Sequence, residues 1–177
     1  MAVDEDSETT RRWAAMRPEL GNGTARLTSL SSTLWRLREA LDHLLFKIFE
    51  AELLLKSNAS HWLAKAGKEL DAALQELRHV EVLRAVETVA LADQLNEPAD
   101  STLRDLSERV PPPWNTILDE HRTALRSLVA GVEEAARRSP GGERDQSEDD
   151  LNVELVRRFI TDALDNTRQV SLVAFLS

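Results

Sequence analysis

A chain of 177 residues, 42% hydrophobic and 30% charged, has material for one domain with a core and little for two. Its lack of cysteine rules out a disulfide scaffold, thiolate zinc sites and thiol catalysis. The net charge of −9 gathers in residues 1–12, with four acids against two arginines, and in residues 139–150, with five acids against one. No basic stripe interleaved with aromatics is available to neutralise phosphates, so nucleic acid is not an expected partner.

Six glycines, six prolines and heavy use of Leu, Ala, Glu and Arg favour long helices and an all-α fold. The opening MAVDEDSETTRRW is acidic where a secretory signal would be basic and then apolar. No stretch approaches the roughly 18 uncharged apolar residues of a membrane helix. These features lead to the expectation of a cytoplasmic chain with no membrane insertion.

Residues 1–24 are polar, contain Pro18 and Gly21-Asn22-Gly23, and read as a disordered acidic tail; Trp13 and Met16 offer a short recognition motif, with an idle tail as the simpler reading. From Leu27 the pattern changes. Leu27, Leu30, Leu34, Leu37, Leu41, Leu44, Ile48, Ala51 and Leu55 follow alternating steps of three and four, a heptad seam that predicts a helix over about 27–56, roughly 45 Å long. Thr28 or Ser29 is the expected cap. KSNAS interrupts, with Asn58 or Ser60 placed to cap a second helix over about 60–95. Its seam runs Leu63, Ala66, Leu70, Ala73, Leu77 and Val80, then slips into Leu83, Val86 and Ala90. Two long seams with a short connection predict an antiparallel helical hairpin, with further helices packed on it as a coiled-coil-like bundle.

NEPAD closes the second helix, Ser101 caps a brief STLRDLSERV element, and three prolines at 111–113 stop it. Trp114, Leu118, His121, Leu125, Leu128, Val132 and Ala135 then form one stripe of a further helix, completing a bundle domain over 25–138. SPGGERDQSEDD, residues 139–150, reads as an acidic flexible linker. Beyond it, residues 151–177 predict an amphipathic helix whose broad apolar face holds Leu155, Val156, Phe159, Ile160, Ala163 and Leu164. A mobile linker followed by such a helix suits helix-in-groove recognition of a partner, and completion of the bundle is the alternative.

The run LLFKIFEAELLL, residues 44–55, raises a separate question. Leu44, Ile48, Ala51 and Leu55 lie on the seam, whereas Phe46, Phe49 and Leu53 fall on the far side, so this half of the helix has two apolar faces. The simpler account covers the second face with another helix of the same chain; the sharper one covers it with a second copy or a client.

Chemistry is sparse. A di-iron bundle needs two Glu-x-x-His pairs on facing helices, and only Glu76 with His79 is present. His121 sits on an apolar stripe, and His43 and His61 lack metal-ligand spacing. No phosphate loop or nucleophile elbow appears. Asn22-Gly-Thr and Asn58-Ala-Ser read as a turn and a cap, and Trp35, Trp62 and Trp114 as core anchors at helix edges. The expectation is a binding protein, not an enzyme, with no metal and no cofactor.

LWRLREALDHLLFKIFEAELLL, SHWLAKAGKELDAAL, LRAVETVALADQL, PPPWNTILDEHRTAL and LNVELVRRFITDAL, taken in order, resemble the FlgN family of flagellar export chaperones, particularly versions from actinobacteria. The resemblance covers about residues 27–138 and then 151–168. It implies a cytoplasmic chaperone that keeps hook–filament junction proteins unassembled, grips their C-terminal helices and delivers them to the export apparatus. On that likeness the client-binding region maps onto Leu155, Val156, Phe159, Ile160, Ala163 and Leu164. The acidic insert at 139–150 departs from a usually more continuous helical region. The lack of tyrosine removes a residue type that some relatives use at the export gate, so docking there is less supported than client binding. The competing expectation is a coiled-coil adaptor or homodimer without a secretion client, joined through Phe46, Phe49 and Leu53.

Overall fold

The computed structural model of the chain describes the backbone of residues 5–57, 59–138, 154, 156, 158, 160, 161, 165 and 170–177. Every regular element among them is a helix: α1 Glu5–Lys56, α2 Ser60–Leu95, α3 Leu103–Arg109, α4 Trp114–Arg138 and α5 Val170–Phe175. Glu154, Val156, Arg158, Ile160, Thr161 and Asp165 are also helical. The fold is an all-α bundle.

The heptad seam of α1 is its spine. Leu30, Leu34, Leu37, Leu41, Leu44, Ile48 and Ala51 are fully buried, Leu27 nearly so, and Leu55 packs partly buried against them. Each such leucine contributes about 1.5–3 kcal/mol relative to an exposed one. α2 runs back antiparallel along this spine, with Ser29 donating to Glu87 at one level and Lys47 reaching Glu69 further down. α4 runs parallel to α1 on the other side, His121 beside Ser31 and Gly131 beside Leu45. A Cβ at Gly131 would stand 3.2 Å from a Leu45 methyl, so the glycine permits the close approach of these two helices.

α1 starts at Glu5, so the backbone that the sequence suggests is a disordered tail up to residue 24 is helical from its fifth residue. Glu5, Asp6 and Glu8 stand at the positive end of the helix dipole, and the alanines and arginines that follow are good helix formers. Thr28 and Ser29 therefore cap nothing: Thr28 donates to the Thr24 carbonyl in mid-helix, and Ser29 serves Glu87. At the hairpin tip Ala59 occupies the N-cap place of α2 without a side-chain bond and Ser60 is already helical, while Asn58 lies outside the described residues.

The register of α2 corrects the reading of a slip. The buried row continues in unbroken steps from Val80 through Arg84 and Thr88 to Leu91, leaving Leu83 and Ala90 half-buried and Val86 exposed. Polar residues occupy two places of the row, which is why an apolar pattern loses it there. α2 ends on Asn96 in the left-handed region, φ 56°, and the Glu97 amide donates to the Ala92 carbonyl at 2.9 Å.

The cap of α3 is Thr102, not Ser101. Thr102 and Asp105 form a reciprocal capping box, while the Ser101 hydroxyl donates to the Pro98 carbonyl. Leu103, Leu106 and Val110 enter the core. The Pro112–Pro113 bond is cis, and α4 begins directly after it. Leu118, His121, Leu125, Val132 and Ala135 of the expected α4 stripe are buried, and Trp114 and Leu128 are partly so. α5 buries Leu172, Phe175 and Leu176; the Arg84 guanidinium lies 4.3 Å from the Phe175 ring, and Arg122 donates to the Ser177 carbonyl at 3.4 Å. The chain thus returns to α2 and α4 at its last residues.

Candidate partner-binding surfaces

The described residues of the C-terminal segment divide between buried and exposed. Val156 and Ile160, one turn apart, are 0% and 2% exposed, while Glu154, Arg158, Thr161 and Asp165 face solvent. Leu155, Phe159, Ala163 and Leu164 lie outside the described residues. The apolar edge that the sequence offers to a partner is, at Val156 and Ile160, covered by the chain itself.

The far side of α1 behaves in the opposite way. Phe46, Phe49 and Leu53 are 61%, 40% and 64% exposed. α2 lies along the Lys47 side of the helix and α4 along the Leu45 side, so neither covers Phe46 or Leu53. The expectation that a helix of the same chain buries this whole face does not hold for those two residues. Further exposed apolar residues come from α2, where Val82, Val86 and Val89 repeat at i, i+4 and i+7. Sequence reasoning missed this stripe; extending the α2 heptad straight through Arg84 would have placed the valines outside.

Trp35 and Trp62, expected as core anchors, are about half exposed. Arg38 covers the Trp35 ring at 4.1 Å and His121 meets its edge at 5.3 Å, while Lys65 stands 5.7 Å from the Trp62 ring. Shielding by cations replaces burial at these two rings.

The charges inside LLFKIFEAELLL have separate fates. Lys47 is bonded by Glu50 and by Glu69 of α2; these bonds, that of Glu50 first, raise its pKa, and the bond from Lys47 lowers that of Glu69. Glu52 is buried, with one carboxylate oxygen lacking a hydrogen-bond partner and the other 3.9 Å from Lys56. His121 is buried in the α1–α4 contact, its Nε2 3.1 Å from the Ser31 hydroxyl and its Nδ1 without a partner. Burial, seconded by the Arg38 charge, holds its pKa down at about 4.

Glu76 pairs with Arg36 at 3.6 Å, and His79, His43 and His61 are exposed. Among the described residues no three His, Asp or Glu side chains gather as a metal site, and no helix is long and apolar enough to cross a membrane. A crevice of about 550 Å³ is lined by Glu97, Asp100, Asp105 and Glu108 with Arg109, and Arg109 is tied to Glu97 at 2.7 Å. What the molecule presents is apolar helix surface, suited to other helices.

No curated protein and no solved structure matches the chain. The family model described as FlgN protein matches residues 16–138, well over half the chain, from within α1 to the last residue of α4. The spine, the returning helix and the parallel helix all lie within the matched residues, and the chain belongs to the FlgN family of flagellar export chaperones.

Proposed function

We propose that this chain is a cytoplasmic chaperone for the hook–filament junction proteins of the flagellum, holding their C-terminal helices so that the subunits stay unassembled until they reach the export apparatus. The observation that carries the reading is the family match over residues 16–138. On the resemblance set out above, the C-terminal helix contacts the client, and its apolar edge, which holds Val156 and Ile160, would pack on client helices in place of the chain's own body. Leu155, Val156, Phe159, Ile160, Ala163 and Leu164 are the contact residues of this proposal. No chemistry is asked of them; the function is binding.

Phe159→Asp combined with Ile160→Asp is expected to leave the helical circular dichroism of the protein in place while abolishing copurification of the junction protein. Copurification that survives the pair discards this site. A second reading, a homodimer without a secretion client, is favoured by the exposure of Phe46 and Leu53. It requires a dimer in light scattering that Phe46→Glu with Leu53→Glu splits, and a monomer at all concentrations removes it.

A further inference from the structure

All four lysines of the chain, Lys47, Lys56, Lys65 and Lys68, fall between residues 47 and 68, and every other cation is an arginine. In a chain with 31 acids, residues 53–68 contain none. This stretch is the tip of the α1–α2 hairpin. The Ser57 amide donates to the Leu53 carbonyl at 2.9 Å and the Ala59 amide to the Leu54 carbonyl at 3.2 Å, and α2 starts at Ser60.

Lys56, His61, Lys65 and Lys68 are exposed at the tip, together with Leu53 and Trp62. Three acids stand just behind them. Glu52 is buried 3.9 Å from Lys56, Glu50 is held by Lys47, and Glu69 is shared between Lys47 and Lys65. With these acids included, residues 47–69 still carry +1, and the rest of the chain carries −10 of the net −9. Lys47 lies 5.5 Å from the Phe46 ring and Lys65 lies 5.7 Å from the Trp62 ring, so Glu69 links two exposed rings across the helices. Phe46 thereby continues the apolar surface of the tip along α1.

Charge and shape together select the occupant. A protein interface of ordinary size takes about 20–30 residues from each side, and the end of two helices supplies a handful of side chains. A bilayer surface demands no matching shape. It receives apolar side chains at the acyl boundary, favours Trp at the headgroup level, and lets lysine stems lie along the apolar layer while their ammonium groups reach the lipid phosphates. The compact charge of lysine suits a diffuse anionic surface, whereas the arginine fork suits a single carboxylate or phosphate. Along α2 the acids from Glu76 onward stand at least about 12 Å from Lys68, beyond a screening length of about 8 Å at physiological salt. They oppose the approach of the tip only weakly.

We propose that the α1–α2 tip docks peripherally on an anionic lipid bilayer, with Leu53 and Trp62 entering the headgroup boundary and Lys56, Lys65 and Lys68 pairing with lipid phosphates. No described helix is long and apolar enough to cross the membrane, so the contact stays on its surface. The docking site shares no residue with the proposed client contacts and stands independently of the client reading.

The test sediments the full chain with vesicles of equal parts phosphatidylcholine and phosphatidylglycerol. The protein is expected to bind these vesicles, to ignore vesicles of phosphatidylcholine alone, and to be released by high salt. Lys56→Gln with Lys65→Gln and Lys68→Gln should lower partitioning at least about tenfold. Leu53→Gln with Trp62→Gln should lower it as well. All five side chains are at least half-exposed, so circular dichroism should be unchanged in both variants. Arg104→Gln with Arg126→Gln removes two exposed charges away from the tip and should leave partitioning as in the wild type. Equal binding to neutral vesicles, or undiminished binding by the lysine variant, overturns the proposal. Retention on polyglutamate without vesicle binding also overturns it and gives the tip to an acidic polypeptide. A dimer in light scattering that Leu53→Gln with Trp62→Gln splits, again without vesicle binding, overturns it in favour of a second copy.

Discussion

His121 shows how one residue can make a helix contact depend on pH. Its ring is wedged between α1 and α4, touching Ser31 and Trp35 with Arg38 close by, and whichever tautomer it adopts leaves Nδ1 unsatisfied. Burial makes the charged imidazolium costly, and the nearby Arg38 charge adds to that cost, which is why the folded pKa falls from 6.5 to about 4. Above pH 6.5 the imidazole is neutral in both the folded and unfolded states and contributes no pH dependence. As pH falls from there toward 4, the unfolded chain takes up a proton that the folded one refuses, and stability is lost. Between pH 7 and 5 the loss should reach about 2 kcal/mol, measured by urea denaturation. His121→Leu should flatten that part of the pH profile, and identical slopes in the two proteins would contradict this account.

At the scale of elements, legibility followed how consistently each row is apolar. α1 was readable from end to end of its seam because every seam place from Leu27 to Ala51 carries an aliphatic residue, and every one is buried. α2 was readable as far as Val80 and misread beyond it, because Arg84 and Thr88 hide a register that does not change. The C-terminal segment displayed its apolar edge in sequence, but which surface covers Val156 and Ile160 depends on contacts with residues far away in the chain, and periodicity carries no such information. Local capping chemistry lies between these cases: Ser101 and Thr102 are both plausible caps by type, and only backbone geometry selects Thr102. Thr102→Ala removes the hydroxyl that accepts from the Asp105 amide while leaving the backbone amide of residue 102 to donate to the Asp105 carboxylate, and should cost about 1 kcal/mol in urea unfolding. Ser101→Ala removes only a bond to the Pro98 carbonyl and should cost less; a larger loss from Ser101→Ala would mean that the cap is misassigned.

For the molecule as a whole, the lengths of the helices do not match, and the mismatch has a consequence. α1 has 52 residues and α2 has 36. Their pairing sets Gln94, next to the end of α2, against Gly23, so α1 runs past the last turn of its partner. α4 begins at the same level, since His121 faces Ser31 and Trp114 stands seven residues earlier in a helix running parallel. The family match begins nearby, at residue 16. Residues 5–20 of α1 therefore extend beyond both helices that flank the spine, and this stretch contains Pro18, which removes a helical hydrogen bond. A chain starting at Gly21 should keep its unfolding free energy within about 0.5 kcal/mol of the full protein, as expected for residues away from the core. Its urea dependence should be little reduced as well. A loss above about 2 kcal/mol would show that the N-terminal turns pack on the body, and the bundle would then have to be redrawn with a longer core.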